Sequence, residues 1–147
     1  MKKLILAALM GFVGFGAGAA NAATATGNFN VNITLTSVCQ LTGPADLNFT
    51  YTSFQVGAAT GAGGAFSVKC TNSLPYTIAL DSTSVTDDAV NLAYTLALSA
   101  AGGTGNGAAQ NYSVTGSMAA SQAGTCAVAS CTNAAATNKQ RTLTITY

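Results

Sequence analysis

The chain has 147 residues, room for one domain with a modest core but not for two. Charged residues make up only 6 % of it, against about 25 % in an average soluble protein, and Glu, His and Trp are absent. A net charge of +1 supplies no field to hold phosphate backbones or anionic headgroups, which argues against nucleic acid and polybasic membrane attachment.

Residues 1–22 read as an export signal: Lys2 and Lys3 open it, an apolar run fills 4–13, and Ala20-Asn21-Ala22 supplies a small-x-small cleavage site. The apolar run is shorter than the roughly 20 residues a membrane-spanning helix needs, so no stable membrane insertion is expected. A cut after Ala22 leaves 125 residues, in which Lys69, Lys139 and Arg141 stand against Asp46, Asp81, Asp87 and Asp88.

Just after the cut, Ala25, Gly27, Phe29, Val31, Ile33 and Leu35 alternate without a break with Thr26, Asn28, Asn30, Asn32, Thr34 and Thr36. A period of two with the apolar residues on one side predicts a strand. At about 3.3 Å per residue, residues 25–35 would reach about 36 Å, which is long for a small sheet.

Further strand candidates cover 47–56, 65–71, 76–81, 92–99, 112–118 and 142–147, spaced as in an all-β sandwich. No segment has helical periodicity. The stretches 57–64, 82–88, 101–109 and 119–140, rich in Gly, Ala, Ser, Thr and Asn, read as connections. Pro75 opens a strand, where its missing N–H costs no ladder bond. Asp87 and Asp88 are adjacent and would point to opposite sides of an extended chain, so they belong in a turn and not to a carboxylate pair.

Export places Cys39, Cys70, Cys126 and Cys131 in an oxidising compartment, where an even count forms bridges. Three pairings are possible. The five-residue step from Cys126 to Cys131 suits a local clip, which leaves Cys39 with Cys70. A four-cysteine zinc site competes poorly, because the chain has no CxxC pair and no His.

Catalytic chemistry finds no footing. A Ser nucleophile has no His to activate it, and the glycine-rich stretches GAATGAGGA and GGTGNG lack the lysine and helix context of phosphate loops. No catalytic, cofactor-binding or metal-binding residue is expected.

The body thus holds six strands, one short of an immunoglobulin-like sandwich, and 142–147 alternates Leu143, Ile145 and Tyr147 with Thr142, Thr144 and Thr146 without a following strand to cover its other edge. Either the N-terminal strand folds back to complete its own sheet, or it completes a neighbour's. Here the chain resembles the Spore Coat Protein U domain family, which includes the archaic class of chaperone-usher pilins. The matching segments, in order, are TGNFNVNITLTSVC, LNFTYTSF, VKCTNSLPYTIALD, LAYTLALS, YSVTGSM and TLTITY.

The resemblance implies an incomplete immunoglobulin-like β-sandwich, completed by donor-strand exchange. It divides the chain into an export signal at 1–22, a donor strand at 23–36 and a pilin domain at 37–147. Donor residues would be Gly27, Phe29, Val31, Ile33 and Leu35; Leu143, Ile145 and Tyr147 would line part of the acceptor groove; Cys39 and Cys70 would form the family's disulfide. Implied partners are neighbouring copies or related pilins, a periplasmic chaperone and an outer-membrane usher, with the product exported through the periplasm to a surface pilus. A secreted sandwich adhesin and a self-complemented spore or cell-surface coat protein are the alternatives. One segment departs from the family pattern: GTCAVASCTNAAATNKQR, with its own clip, stands where a short approach to the last strand is expected.

Overall fold

Alternation between large apolar and small polar side chains sets the central strands, because successive residues of a strand face opposite sides of the sheet. In the computed structural model, which describes residues 23–147, Phe66, Val68 and Cys70 of one strand and Tyr76 and Ile78 of the next are buried, while their neighbours are more exposed. The expected export signal at 1–22 and its cut lie outside the described residues.

Ten strands and no helix are present among the described residues. They are β1 (Cys39–Thr42), β2 (Leu47–Asn48), β3 (Ala59–Gly63), β4 (Ala65–Cys70), β5 (Pro75–Leu80), β6 (Ser84–Thr86), β7 (Ala93–Leu98), β8 (Gly102–Thr104), β9 (Ala109–Met118) and β10 (Leu143–Thr146). All pair antiparallel, in two sheets. The larger runs β1-β4-β9-β3-β2, with β7 on β9 and β6 on β7; the smaller is β10-β5-β8. This is an all-β, immunoglobulin-like sandwich.

β3 and β4 lie end to end along β9 with one extra residue between them: Gly61 faces Gly116, but Ala65 faces Ser113. Gly63 (φ 113) and Gly64 (φ 74) absorb this bulge, and a Cβ at either would strike the carbonyl oxygen of Asp46 or Val114 at 1.9 and 2.2 Å. Only glycine fits there.

Phe66, Val68, Cys70, Tyr76, Ile78, Leu96 and Val114 form the core between the sheets. Phe66 stacks on Tyr112 with ring centroids 5.6 Å apart, and the Tyr112 hydroxyl meets that of Tyr76 at 2.5 Å. Tyr76 also donates to Gln110 Oε1 at 2.9 Å. Burial, reinforced by Tyr112, pushes the Tyr76 hydroxyl up to about 12.

Residues 23–38 belong to no ladder among the described residues, as an alternating segment without a partner edge does. Three expectations need correction. The expected strand at 47–56 stops at Asn48, because residues 52–55 close a turn in which Gln55 N–H donates to the Thr52 carbonyl at 3.0 Å. Each of the connections 57–64, 82–88 and 101–109 contains a short strand, β3, β6 and β8 respectively. Finally, β1 was not expected at all, and it forms because Cys39 sits directly opposite Cys70 and is bonded to it.

The chain divides after Thr34. In the preceding unit and at its boundary the alternating side chains are open to solvent: Phe29 is 86 % exposed, Val31 71 %, Ile33 86 % and Leu35 77 %.

Candidate functional site

Among the described residues, both sheets of the domain at 35–147 have an unpaired outer edge near β10. β10 pairs only with β5, through Leu143 opposite Leu80 and Ile145 opposite Ile78. β2 pairs only with β3, through Leu47 and Asn48. An open cleft of about 810 Å³ lies here, its apolar lining including Leu47, Phe49, Leu80, Leu96, Val114 and Leu143.

Phe49 reaches the floor of the cleft because Gly61 and Gly116 carry no side chain: a Cβ on Gly116 would stand 2.4 Å from Phe49 Cζ, and one on Gly61 would stand 3.0 Å from Phe49 Cε1. The far side of the Phe49 ring meets Tyr94 at 5.8 Å between centroids. Burial raises the Tyr94 hydroxyl above its ordinary range.

One wall is polar and comes from the segment that departs from the family pattern. Cys131, Asn133, Lys139 and Arg141 line it, together with Asp87 from the β6–β7 loop. Asp87 is 2 % exposed and fully engaged: it accepts from the N–H groups of Ala89 at 3.0 Å and Val90 at 2.9 Å, and from Asn133 Nδ2 at 2.9 Å. Asp88 accepts from the N–H of Thr137 at 3.0 Å and also from its hydroxyl. These bonds from Thr137 hold the Asp88 carboxyl below the usual carboxylate range. Asn138 Nδ2 donates to the Thr86 carbonyl at 2.7 Å, and Arg141 pairs with Asp81 at 3.6 Å. Both aspartates therefore sit in a turn, as expected, and that turn anchors the long loop beside the cleft.

Of the expected groove residues, Leu143 lines the cleft, Ile145 packs on the core and Tyr147 is 57 % exposed beyond β10. Leu47, Phe49 and the glycine pair were not singled out from the sequence, although a glycine inside a strand pattern is a signal of close approach. The four cysteines form Cys39–Cys70 and Cys126–Cys131, so none remains as a zinc ligand.

The profile of the Spore Coat Protein U domain matches residues 25–146, nearly the whole described chain. The chain belongs to the Spore Coat Protein U family. No curated protein and no solved structure matches it. The Spore Coat Protein U family is one of structural domains and not an enzyme family, and two disulfides in such a domain fit an exported molecule.

Proposed function

We propose that the chain is the structural subunit of a bacterial surface pilus, joined to its neighbours by N-terminal donor strands. In this reading residues 23–36 of one copy add a strand beside β10 of the next and lay Phe29, Val31, Ile33 and Leu35 into the cleft. Gly27 would sit where the donor backbone comes closest to the acceptor. A periplasmic chaperone would shield the cleft before assembly, and an outer-membrane usher would order the exchange.

The observation that carries this proposal is the exposure of the alternating segment. Four large apolar side chains on one side of a chain, each at least 71 % exposed, are costly to leave in water and are arranged to enter a sheet edge. Burying each contributes about 1.5 to 3 kcal/mol, and the main-chain bonds to an open edge add to that. Self-completion by a coat protein would bury the same residues within one copy, so the two readings differ in who supplies the strand.

Unboiled gels of the exported protein separate them. A ladder of multimers that collapses on heating supports exchange, and a lone monomer refutes it. Phe29→Asp combined with Val31→Asp should abolish the ladder and leave a chaperone-bound monomer.

A further inference from the structure

Outside the alternating segment, every exposed large hydrophobic residue except Leu41 of β1 lies outside the strands, in loops or terminal segments toward the two ends of the sandwich. Register defines those ends. Cys39, Cys70 and Ala109 lie at one, and Ala59, Ala93 and Met118 at the other. At the first end stand Val38, 49 % exposed, nearby Leu41 on the edge strand, and Tyr147. At the second stand Phe54, Val56 and Val128, at 69, 97 and 69 %.

The second end is built to present its residues. Phe54 has φ 61, a left-handed conformation that a bulky side chain rarely adopts, and Ser121 opposite it has φ 62. Reciprocal bonds lock the two loops together: Phe54 N–H donates to the Gln122 carbonyl at 2.9 Å, and Ser121 N–H donates to the Gln55 carbonyl at 2.8 Å. Ser53 Oγ adds a bond to the Ala123 carbonyl at 2.7 Å. Neither 51–57 nor 119–131 contains a charged residue. A strained, rigid, uncharged loop that holds a phenylalanine in water is a contact surface awaiting a partner.

We infer that this partner is the first end of a second copy, so that Phe54, Val56 and Val128 pack against Val38 and Tyr147 of the next subunit. The inference rests on the strand-exchange reading above. Only Thr36, Ser37 and Val38 separate the last donor residue, Leu35, from the disulfide at Cys39, a reach of at most about 14 Å. A donor inserted in a neighbour must therefore bring its own first end against that neighbour. Contact between two first ends would allow reciprocal exchange and close into a pair, whereas first end on second end repeats without closing, as a filament requires. Apolar residues at both ends, with no charge in the loops of the second, suit the repeating contact.

A benzophenone side chain placed at position 54 of the full chain tests this in assembled material. The expected adduct joins two copies, with its second attachment among 36–41 or 145–147. An adduct to 51–57 or 119–131 of the second copy, to a different protein, or no adduct at all in the polymer overturns the inference. The unboiled ladder reads strand exchange independently: adducts without a ladder defeat strand exchange alone, and a ladder without such adducts defeats the end contact alone. Phe54→Gly with Val56→Ser, which suits the left-handed backbone, should leave monomer melting unchanged or higher and shorten polymers several-fold. An unchanged length distribution also overturns it.

Discussion

Gly61 and Gly116 face each other across the β3–β9 pair, and the Phe49 ring occupies the space their missing side chains leave. Three residues far apart in sequence thus form one contact beneath the cleft. Gly116→Val should cost about 1 to 3 kcal/mol by overpacking, measured by denaturant unfolding. In a Phe49→Ala background the same change should cost less, because the nearer of the two side chains it strikes is gone and only Leu47 remains, 2.7 Å from the added Cβ. Additive effects of the two changes would show that the glycines serve another purpose.

Asp87 ties the β6–β7 turn to the polar wall of the cleft. Asp87→Ala strands the N–H groups of Ala89 and Val90 and releases Asn133, for an expected loss of about 1 to 3 kcal/mol. Hydrogen exchange should quicken at 131–141 more than in β4 or β9.

Acid should loosen the same wall. The Asp88 carboxyl is held low by Thr137 in the folded chain, so the unfolded chain binds its proton first as pH falls. Its stabilising contribution is present above the unfolded value of about 3.9 and is lost as pH drops through the folded value. Asp88→Asn should flatten the acid limb of a stability-against-pH curve.

At the alkaline side the sign reverses. Tyr76 is raised to about 12, so above pH 10 the unfolded chain releases a proton that the folded chain keeps, and stability falls across that interval. Tyr76→Phe should reduce the slope between about pH 10 and 12. Between pH 5 and 8 no His titrates, and assembled material should keep its length throughout that window.

Removing the two disulfides should have unequal effects. Cys39–Cys70 closes a span of 31 residues and Cys126–Cys131 a span of 5, which the chain-entropy account converts to about 3 to 4 and about 2 kcal/mol. Paired serine substitutions with thermal melting compare them directly.

Much of the sandwich was legible in the sequence because its central strands carry large side chains. AFSVKC and PYTIAL announce their buried faces through Phe66, Val68, Tyr76 and Ile78. The strands that escaped notice have little or no side chain to announce: β3 is Ala-Thr-Gly-Ala-Gly, and β8 is Gly-Gly-Thr. Their backbones pair with β9 and β5, a long-range fact with no local pattern. Conversely, LNFTYTSFQV alternates well yet leaves the sheet after Asn48, because Tyr51, Ser53 and Gln55 bond to the long loop or within the turn at 52–55 and not to a strand. The cleft was half visible. Leu143 could be named from the final alternation, but Leu47 and Phe49 face it only because the glycine pair lets them approach.

The bond between Cys39 and Cys70 also decides how a pull would travel. Tension applied through the N-terminal segment reaches Cys39 and crosses covalently to β4, which is hydrogen-bonded to β9 in the middle of the larger sheet. The weak edge pairing of β1 cannot be unzipped from that direction, and residues 40–64, between Cys39 and β4, stay out of the line of force. Rupture would need the β4–β9 ladder to shear along its length, so the molecule is wired as a tensile link whose most exposed strand is out of the line of force.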